Sequence, residues 1–376
     1  MIISSFEAGK LVQRYQFKSF EPNLIDVEWE IDNTELNVLL SRANLKLGEL
    51  NAFSQLIPDV DFFIKMHVFK EGTKSSQIEG TQTNIDEAIQ KEEYVNPEKK
   101  DDWQEVQNYV LAMNQAIESL EKLPLSNRVL KQTHKTLLQG VRGTHKSPGE
   151  FRQSQNWIGG SSLSDAVFIP PYQDSINELM SDLEKFLHNE NIFVPSLIKI
   201  GIAHYQFETI HPFLDGNGRI GRLLISLYLV SNELLLKPTL YLSDFFEKNK
   251  TLYYENLTRV RTHNDLTQWL KFFLEGVRST SENSIQTFKN IIKLRDEAEH
   301  KIMILGKKQI MAKAFLKYLY SRPVTDATDV AEALSINVST ALRLIGDFMK
   351  LNILIEITGY KRNRIFSFDD YMQLFR

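Results

Sequence analysis

The feature that most constrains this 376-residue chain is a long helical pattern that starts at a glycine turn. After Gly216-Asn217-Gly218, apolar residues recur with i, i+3, i+4, i+7 and i+8 spacing at Ile220, Leu223, Leu224, Leu227 and Tyr228. This spacing predicts an amphipathic helix whose apolar stripe faces a core. At 100° per residue, Arg219 and Arg222 fall together outside the stripe. The pattern therefore predicts that both arginines point away from this core, together towards another part of the molecule.

Helical patterns occupy most of the rest of the chain, and strand-like alternation is rare. They predict helices over much of the first hundred residues and around 60–80, 103–120, 175–187 and 196–209, with a further helix after Ser126 that carries His134. The helix near 60–80 should end at Gly80, because glycine commonly terminates helices. Residues 143–171 are rich in Gly and Pro and indicate a loop, in which 166–169 is the best candidate for one arm of a hairpin. The expected fold class is mostly α.

The last part of the chain differs from the rest in charge. Residues 301–376 hold 12 Lys and Arg against 7 Asp and Glu, whereas the remaining 300 residues hold 32 against 41. Such asymmetry suggests different partners for the two parts. Helices are predicted at 308–320, 328–334 and 338–345, followed by strands at 353–357 and 364–368. This order resembles a winged helix-turn-helix.

Such a domain has two alternative uses. If it binds DNA, the predicted contacts are Ser339, Thr340, Arg343, Lys361, Arg362 and Arg364. The alternative is a winged helix that serves protein contact or dimerisation.

Composition excludes several kinds of site. The chain has no cysteine, which excludes disulfides, thiolate nucleophiles and cysteine-type zinc sites. His204 and His211 are seven residues apart and no His-Glu-x-x-His occurs, so a zinc hydrolase is not expected. The N-terminus does not resemble a signal peptide, and the apolar stretch near 223–230 is too short to span a bilayer. We therefore expect a cytoplasmic protein without a membrane segment.

The segment from His211 to Arg222 carries the residue types of a site for a nucleoside polyphosphate. A glycine turn before a helix leaves main-chain N–H groups free, and such helix starts bind phosphate. Arginine side chains add fork-shaped cations for phosphate oxygens. Asp215 is an oxygen ligand suited to Mg²⁺, and His211 can act as a general base near neutral pH. Taken singly, each residue has an ordinary structural explanation, but a simple turn does not need two arginines on the helix that it starts.

The string His211-Pro-Phe-x-Asp-Gly-Asn-Gly-Arg-x-x-Arg222 resembles the signature of the Fic family, and the resemblance extends over about 60–290. It implies a helical core with a short hairpin flap and an activity of protein adenylylation. His211 would deprotonate a Ser, Thr or Tyr hydroxyl of a target protein, which then attacks the α-phosphate of ATP and releases pyrophosphate. Asp215 would hold Mg²⁺, and Gly218 favours nucleotide transfer over the phosphate transfer of the Doc-like branch.

The same resemblance implies which residues form the site. The ATP-binding residues would be Glu79, His211, Gly216, Asn217, Gly218, Arg219, Ile220, Gly221, Arg222 and Asn249. Tyr253 or Tyr254 would pack on the nucleotide or, alternatively, belong to the core. The flap residues Val167, Phe168 and Ile169 would pair with an extended target segment through main-chain bonds.

The segment from Ser75 to Gly80 matches the inhibitory pattern of that family, with Ser75, Glu79 and Gly80 as its defining residues. Glu79 stands in the last turn of a predicted helix, where the helix dipole disfavours negative charge unless a cation is near. The resemblance implies that this cation is Arg222 and that the pair misaligns ATP. The alternative is a solvated glutamate at a helix end.

These observations give three regions: residues 1–122 with the inhibitory helix, a catalytic core at 123–290 and a winged helix at 297–376. The main hypothesis is an autoinhibited, Mg-ATP-dependent protein adenylyltransferase. The enzyme itself is a further candidate target, and a homodimer is a candidate assembly. One alternative is a DNA-binding transcriptional regulator that only senses ATP. Another is an enzyme that also removes the adenylyl group.

Overall fold

Helices account for most of the architecture, as the sequence predicts. The computed structural model describes residues 1–56, 60–359 and 363–376. The helices are α1 (Thr34–Leu56), α2 (Val60–Ile78), α3 (Ile85–Ala88), α4 (Lys100–Leu120), α5 (Asn127–Leu137), α6 (Ile176–His188), α7 (Ser196–Ile210), α8 (Asn217–Ser231), α9 (Ser243–Lys248), α10 (Lys250–His263), α11 (Leu266–Ile302), α12 (Gln309–Ser321), α13 (Ala327–Ala333), α14 (Val338–Lys350) and α15 (Asp369–Met372). The strands are β1 (Gly9–Gln13), β2 (Lys18–Pro22), β3 (Val324–Asp326), β4 (Ile355–Glu356) and β5 (Ile365–Ser367).

The helical prediction for the first hundred residues is wrong for residues 1–31. There β1 and β2 form an antiparallel hairpin, in which Gly9 lies opposite Pro22. The strand sequences, Gly-Lys-Leu-Val-Gln and Lys-Ser-Phe-Glu-Pro, do not alternate between apolar and polar residues, which is the pattern that predicts a half-buried strand. The main-chain N–H of Phe20 in β2 donates to the carbonyl of Ile169 at 2.9 Å. The hairpin therefore lies against the loop that was predicted to form the flap.

Helices α7 and α8 form the centre of the core. Every residue of α7 from Leu197 to Ile210 is buried, and so are nearly all of α8, including the whole predicted apolar stripe. A helix that is buried on all sides lies inside a protein rather than on its surface. The loop 211–216 joins these two helices, so the motif lies at the edge of this buried region.

The end of α2 confirms the predicted helix terminator. The N–H of Gly80 donates to the carbonyl of Gln77 at 3.1 Å, and Gly80 has a φ of +106°. Glycine adopts this left-handed region without the steric cost of a Cβ. Since α2 packs against α4, α8 and α9, its end places Glu79 next to the start of α8.

The C-terminal part begins within one long helix. Helix α11 runs from Leu266 to Ile302, so the predicted limits at 290 and 297 both lie inside it. It packs along α1 and against α12. The continuous core therefore reaches the C-terminal helices without an intervening linker.

A small antiparallel sheet follows, with strand order β3-β5-β4. Strands β4 and β5 were predicted, but β3 was not, because three residues are too few to show a periodic pattern. The chain order is α12, β3, α13, α14, β4, β5. The winged-helix assignment stays a prediction, and Lys361 and Arg362 lie outside the described residues. Within the described ranges, none of the helices has both the length and the apolar character that crossing a membrane requires.

His67 of α2 gives a testable pH dependence of stability. Its ring is buried against Phe288 and Phe375, and Nε2 has no hydrogen-bond partner among the described residues. Burial lowers the pKa of His67 to about 3, and the charge of Lys70 adds to this effect. An unfolded histidine titrates near pH 6.5 and binds a proton that the folded state excludes, so stability falls by about 1.4 kcal/mol per pH unit from about pH 6 towards pH 3.

We expect His67→Phe to reduce the slope of unfolding free energy against pH by about this amount below pH 6. Urea unfolding between pH 4 and pH 7 measures the slope. His300→Phe, at an exposed position near the end of α11, is the control. An unchanged slope for His67→Phe would show that the ring is protonated in the folded state.

Candidate active site

His211 ends α7 in a left-handed conformation, with φ +50° and ψ 60°. Its N–H still donates to the carbonyl of Phe207 at 2.9 Å. A non-glycine residue in this region costs about 1–2 kcal/mol, so neighbouring contacts must hold it there. The carbonyl of His211 accepts from Arg152 Nε at 2.9 Å and from Asn156 Nδ2 at 3.3 Å. The turn that carries the imidazole is thereby fixed from outside the motif.

The side chain of Asn217 closes the motif loop. Its Oδ1 accepts from the N–H of Phe213, and its Nδ2 donates to the carbonyl of Phe213, both at 2.8 Å. Both polar atoms of this side chain are thus bonded within the loop, whereas its main-chain N–H is not, and the role of Asn217 in ATP binding stays a prediction. Phe213 is fully buried, and its ring stacks on His134 with centroids 3.8 Å apart.

The start of α8 presents free main-chain amides. Helix α8 begins at Asn217 after Gly216, whose φ is +75°. The amides of residues 217–219 donate to no protein group in the part of the chain that the structure describes. Three adjacent N–H groups at the positive end of a helix favour an anion.

Two predicted ATP-binding residues do not reach this cradle. The N–H of Ile220 donates to the carbonyl of Gly216 at 3.1 Å, and its side chain is fully buried in the core. Gly221 faces the protein interior, where its carbonyl bonds with His204 Nδ1 at 2.8 Å. A Cβ at Gly221 would clash with the side chain of Glu208. These two residues pack the helix rather than line the site.

The imidazole of His211 is neutral at pH 7. Burial lowers the pKa of His211 to about 3, and the guanidinium groups of Arg261 and Arg152 lower it further, against the opposing charge of Glu79. Nδ1 is buried and makes no hydrogen bond within the described residues. A neutral ring has a lone pair that can accept a proton.

Arg152 was missed by the sequence analysis. It is buried, and besides His211 its guanidinium donates to the carbonyls of Pro171 at 2.6 Å and Ser154 at 3.2 Å. All of these acceptors are main-chain oxygens, so Arg152 joins the motif to both ends of the loop 154–171. No spacing signal links residue 152 to residue 211, and only the folded chain brings them together.

We expect Arg152→Gln to lower the free energy of unfolding by about 3 kcal/mol, because buried carbonyls lose their donors. Urea unfolding followed by circular dichroism measures this loss. Arg259→Gln, which removes a mostly exposed guanidinium paired with Asp265, is the matched control and should change stability by less than about 1 kcal/mol. Equal stability of the two variants would mean that Arg152 does not hold the turn.

His134 is a second positioning residue that the sequence analysis placed only within a helix. Its Nδ1 accepts from the N–H of Gly149 at 2.8 Å. Nε2 is therefore the protonated nitrogen, and it donates to the carbonyl of Asp215 at 2.9 Å. Burial lowers the pKa of His134 to about 4, which keeps this neutral form at pH 7. The ring thus fixes the motif loop through its hydrogen bond to the carbonyl of Asp215.

Arg222 lies in a buried network with the end of α2. Its Nη2 is 2.7 Å from Glu79 Oε1 and 2.9 Å from the carbonyl of Ser75, and its Nε donates to Ser75 Oγ at 2.9 Å. Burial opposes the charge of Glu79, but the charge and hydrogen bond of Arg222 lower the pKa of Glu79 overall. Glu79 is thus no solvated glutamate at a helix end, because it is ionised and paired.

Gly218 allows Glu79 to lie where it does. A Cβ at position 218 would clash with Glu79 Oε1 and with the guanidinium of Arg222. The carboxylate of Glu79 therefore lies directly over the first turn of α8. Lys250 Nζ donates to the carbonyl of Ile78 at 2.6 Å and fixes the end of α2 from the other side.

Arg219 also points into a buried space, as its position outside the apolar stripe predicts. Its Nη1 is 3.0 Å from Glu105 Oε2, and Glu105 Oε1 also pairs with Arg142 at 2.9 Å. Arg219 and Arg222 thus each have a carboxylate partner, Glu105 and Glu79 respectively. An incoming anion at this helix start meets two guanidinium groups that are already paired.

Asp215 fits the predicted metal position. Its side chain is 40 % exposed, and Oδ1 accepts from the N–H of Gly216 at 2.6 Å, which leaves Oδ2 without a hydrogen bond in the described chain. The described residues contain no group of three or more His, Asp or Glu side chains placed to hold a metal ion. A single free carboxylate oxygen matches Mg²⁺, which takes most of its ligands from water and phosphates.

The predicted flap is a loop closed by one antiparallel bridge, between Ile158 and Phe168. The N–H of Ile158 donates to the carbonyl of Phe168 at 2.8 Å. Phe168 packs under the guanidinium of Arg261, with 4.0 Å between them, and the carbonyl of Ile169 is bonded to β2. Val167 is 77 % exposed. The strand pairing in this loop is shorter than in a regular hairpin, but Val167, next to the bridge, is open to solvent.

The residues outside the motif that were predicted to contact the nucleotide, Asn249 and Tyr253 or Tyr254, divide between core and surface. Tyr253 is fully buried and its hydroxyl is 2.9 Å from His204 Nε2, so it belongs to the core. Tyr254 is 41 % exposed and remains available. Asn249 lies between α9 and α10, where its Nδ2 donates to the carbonyl of Phe245 at 2.9 Å. Its role in ATP binding stays a prediction.

The predicted DNA contacts of the C-terminal part are only partly available. Arg343 is exposed on α14, but Ser339 Oγ donates to Asn337 Oδ1 at 2.8 Å, and Thr340 is half-buried. Arg364 forms an ion pair with Glu356. DNA contact therefore stays a prediction.

The chain matches two models of one family. Residues 37–118 match the model described as Fic/DOC family N-terminal, and residues 124–229 match the model described as Fic/DOC family. "Protein adenylyltransferase Fic" of Drosophila erecta is 28 % identical over 182 residues, which cover 48 % of this chain and 34 % of that protein. The protein of the same name from Aedes aegypti is 31 % identical over 133 residues, covering 35 % and 24 %. The chain thus spans about a third or less of the length of these curated relatives.

Solved structures show the same fold. A Fic family protein from Desulfovibrio desulfuricans G20 has a TM-score of 0.57 at 22 % identity, covering 89 % of this chain and 96 % of that chain. Fic-1 (residues 134–508) from C. elegans has a TM-score of 0.51 at 21 % identity, covering 69 % and 74 %. The likeness to the first structure extends over most of the chain.

Proposed function

The chain belongs to the Fic/DOC family, and we propose that it is a protein adenylyltransferase, which moves AMP from ATP to a Ser, Thr or Tyr hydroxyl of a target protein. The observation that supports this most strongly is that one short segment carries both a neutral imidazole and a helix start with free main-chain amides. His211 is held in its turn six residues before the first of three unbonded N–H groups of α8. A base beside an anion cradle is what transfer at a phosphorus requires.

In the proposed reaction, the target hydroxyl oxygen attacks the α-phosphorus of ATP. The bond from that phosphorus to the oxygen bridging the α- and β-phosphates breaks, and pyrophosphate leaves with the bonding electrons. His211 accepts the hydroxyl proton. Because Nδ1 is buried, we assign this role to Nε2. The amides of residues 217–219 would stabilise the negative charge on the α-phosphate.

Arg219 and Arg222 would bind the outer phosphates once their present carboxylate partners are exchanged. Guanidinium groups suit phosphate oxygens because they can form two parallel hydrogen bonds. Asp215 is the residue that would hold Mg²⁺, and the bound ion would offset the negative charge of the phosphates. On the adenine side, Asn249 and the exposed Tyr254 are the residues that we propose.

Target recognition is proposed at the flap. Val167 is exposed, and the loop is fixed at Phe168 and Ile169. An extended target segment that pairs with the main chain there would be recognised without a strict sequence requirement. Such pairing would bring a hydroxyl near His211, since Arg152 joins the flap loop to the same turn.

We propose that Glu79 holds the enzyme in an inhibited state. Its carboxylate neutralises Arg222 and lies over the first turn of α8, where a negatively charged outer phosphate would otherwise bind. Ser75 strengthens the arrangement by accepting two hydrogen bonds from the same guanidinium. A second role of Glu79, in activating water to remove an adenylyl group, is the alternative that this position also allows.

Labelled nucleotides test the proposed activity. With ATP labelled at the α-phosphate, protein in a lysate should become labelled, and mass spectrometry should find the mass of AMP on Ser, Thr or Tyr. With label at the γ-phosphate, protein should stay unlabelled and the label should leave in pyrophosphate. Labelling from the γ-phosphate would instead indicate phosphate transfer.

For the C-terminal part, the exposed apolar residues of α14 favour protein contact or dimerisation over DNA binding. Val338 and Leu342 are 46 % and 45 % exposed, one helical turn apart. The positive charge of residues 301–376 supports the DNA alternative. A salt-sensitive gel shift of the full chain on duplex DNA would support DNA binding, whereas no shift at low salt would favour protein contact.

A further inference from the structure

A cavity of about 170 Å³ lies between α2, the segment that follows α3 and the loop that enters β3. Its apolar walls include Met66 and Phe69 of α2, Ile89 and Pro323. None of its lining residues belongs to the motif 211–222, so it is separate from the candidate active site. Its volume is well below the roughly 300–1,000 Å³ of pockets for drug-sized ligands, which limits an occupant to a small molecule.

Two cations in this cavity have no hydrogen-bond or ion-pair partner among the residues that the structure describes. Lys65 of α2 is half-buried and Arg322 lies at the entrance to β3, and both line the cavity. Neither side chain forms an ion pair or a hydrogen bond with the residues that the structure describes. Burial lowers the pKa of Lys65, and the charge of Arg322 lowers it further. A partly desolvated ammonium beside a second cation is unfavourable unless an anion joins them.

The carboxylates of the cavity cannot supply this anion, because they are already used. Asp326 and Asp329 each lie 2.7 Å from Lys91 Nζ. Asp326 also accepts from the N–H groups of residues 328 and 329 at the start of α13, at 2.7 and 3.0 Å. These contacts hold both carboxylates on the Lys91 side. Among the described residues that line the cavity, the charge left without a partner is therefore positive.

We propose that this cavity binds a small organic anion, whose phosphate or carboxylate group contacts Lys65 and Arg322 and whose apolar body packs on Phe69 and Pro323. A guanidinium and an ammonium together suit the oxygens of such a group. The occupant would contact α2, which ends next to Glu79, and the C-terminal part at the same time. Its binding does not depend on the adenylyl transfer proposed above.

Isothermal titration calorimetry of the full chain tests this proposal, with phenyl phosphate and benzoate as probes. Phenol lacks the charge and inorganic phosphate lacks the apolar body. We expect phenyl phosphate, benzoate or both to bind at least about tenfold more tightly than phenol and than inorganic phosphate. If both anions bind, the site accepts either acid group, and if one binds, the site is selective for that group. Binding of neither, or equal binding of phenol, would overturn the proposal.

Variants locate the binding. Lys65→Met and Arg322→Gln should each weaken binding of the probe at least about tenfold, whereas Lys65→Arg should retain it. Lys46→Met, which removes a lysine of α1 paired with Glu49, is the matched control and should bind as the parent does. Arg322 is exposed, so its replacement tests the site even if the change at Lys65 disturbs the fold. Unchanged binding in both variants would place the probe elsewhere and refute the site.

Discussion

Replacing Glu79 with glycine is expected to raise adenylyl transfer by about tenfold to a hundredfold, the usual size of coupling between an inhibitory element and a site. The change removes the carboxylate that lies 2.7 Å from Arg222 Nη2 and over the first turn of α8. The guanidinium then becomes available to an outer phosphate, and the position above Gly218 is no longer negatively charged. Incorporation of label from α-labelled ATP, measured at equal protein concentration, gives the ratio.

Two further variants separate the charge of Glu79 from its shape. Glu79→Gln keeps the size of the side chain and should give an intermediate increase, because a neutral amide still fills the space above Gly218. Glu118→Gly is the matched control, since Glu118 is exposed in the last turn of α4 and should leave the rate unchanged. Equal rates for the wild type and Glu79→Gly would remove inhibition from the proposal and leave the ion pair as a structural contact.

Replacing His211 with alanine in the Glu79→Gly protein is expected to lower transfer by about 10²–10⁴-fold, the range that a general base contributes. The ring is neutral at pH 7, since burial and the nearby guanidinium groups lower the pKa of His211 to about 3. Its removal leaves the target hydroxyl without a proton acceptor. The amides of residues 217–219 remain, so ATP should still bind, and binding can be measured separately with a fluorescent nucleotide.

The control for this change is His300→Ala, an exposed histidine near the end of α11. A full rate in the His211→Ala protein would show that another group takes the proton. Loss of both transfer and ATP binding would point to collapse of the turn at residue 211 rather than to loss of a base. Circular dichroism at the same concentration distinguishes a folded variant from an unfolded one.

Much of the candidate site could be predicted from the sequence because the motif is contiguous. The turn, the start of α8, and the burial of the apolar stripe follow from local spacing, and the end of α2 follows from Gly80. The contact between Glu79 and Arg222 joins residues 143 positions apart. It was implied by a resemblance to known proteins, and the packing of α2 against α8 places the two side chains together.

The missed residues share a different property: their function depends on contacts with distant main-chain atoms. Arg152 and His134 hold the carbonyls of His211 and Asp215, and no periodic signal connects them. The sequence also does not reveal that both polar atoms of the Asn217 side chain bond to Phe213 and close the motif loop. Likewise, β1 and β2 were missed because their residues do not alternate between apolar and polar, and β3 was missed because three residues are too few to show a pattern.

A crystal structure of the Glu79→Gly protein with a non-hydrolysable ATP analogue and Mg²⁺ is the most direct test of the central claim. We expect the α-phosphorus to lie between the His211 ring and the amides of residues 217–219, with Arg222 on an outer phosphate. An empty cradle, a nucleotide bound elsewhere or a ring turned away from the α-phosphorus would contradict the proposed function.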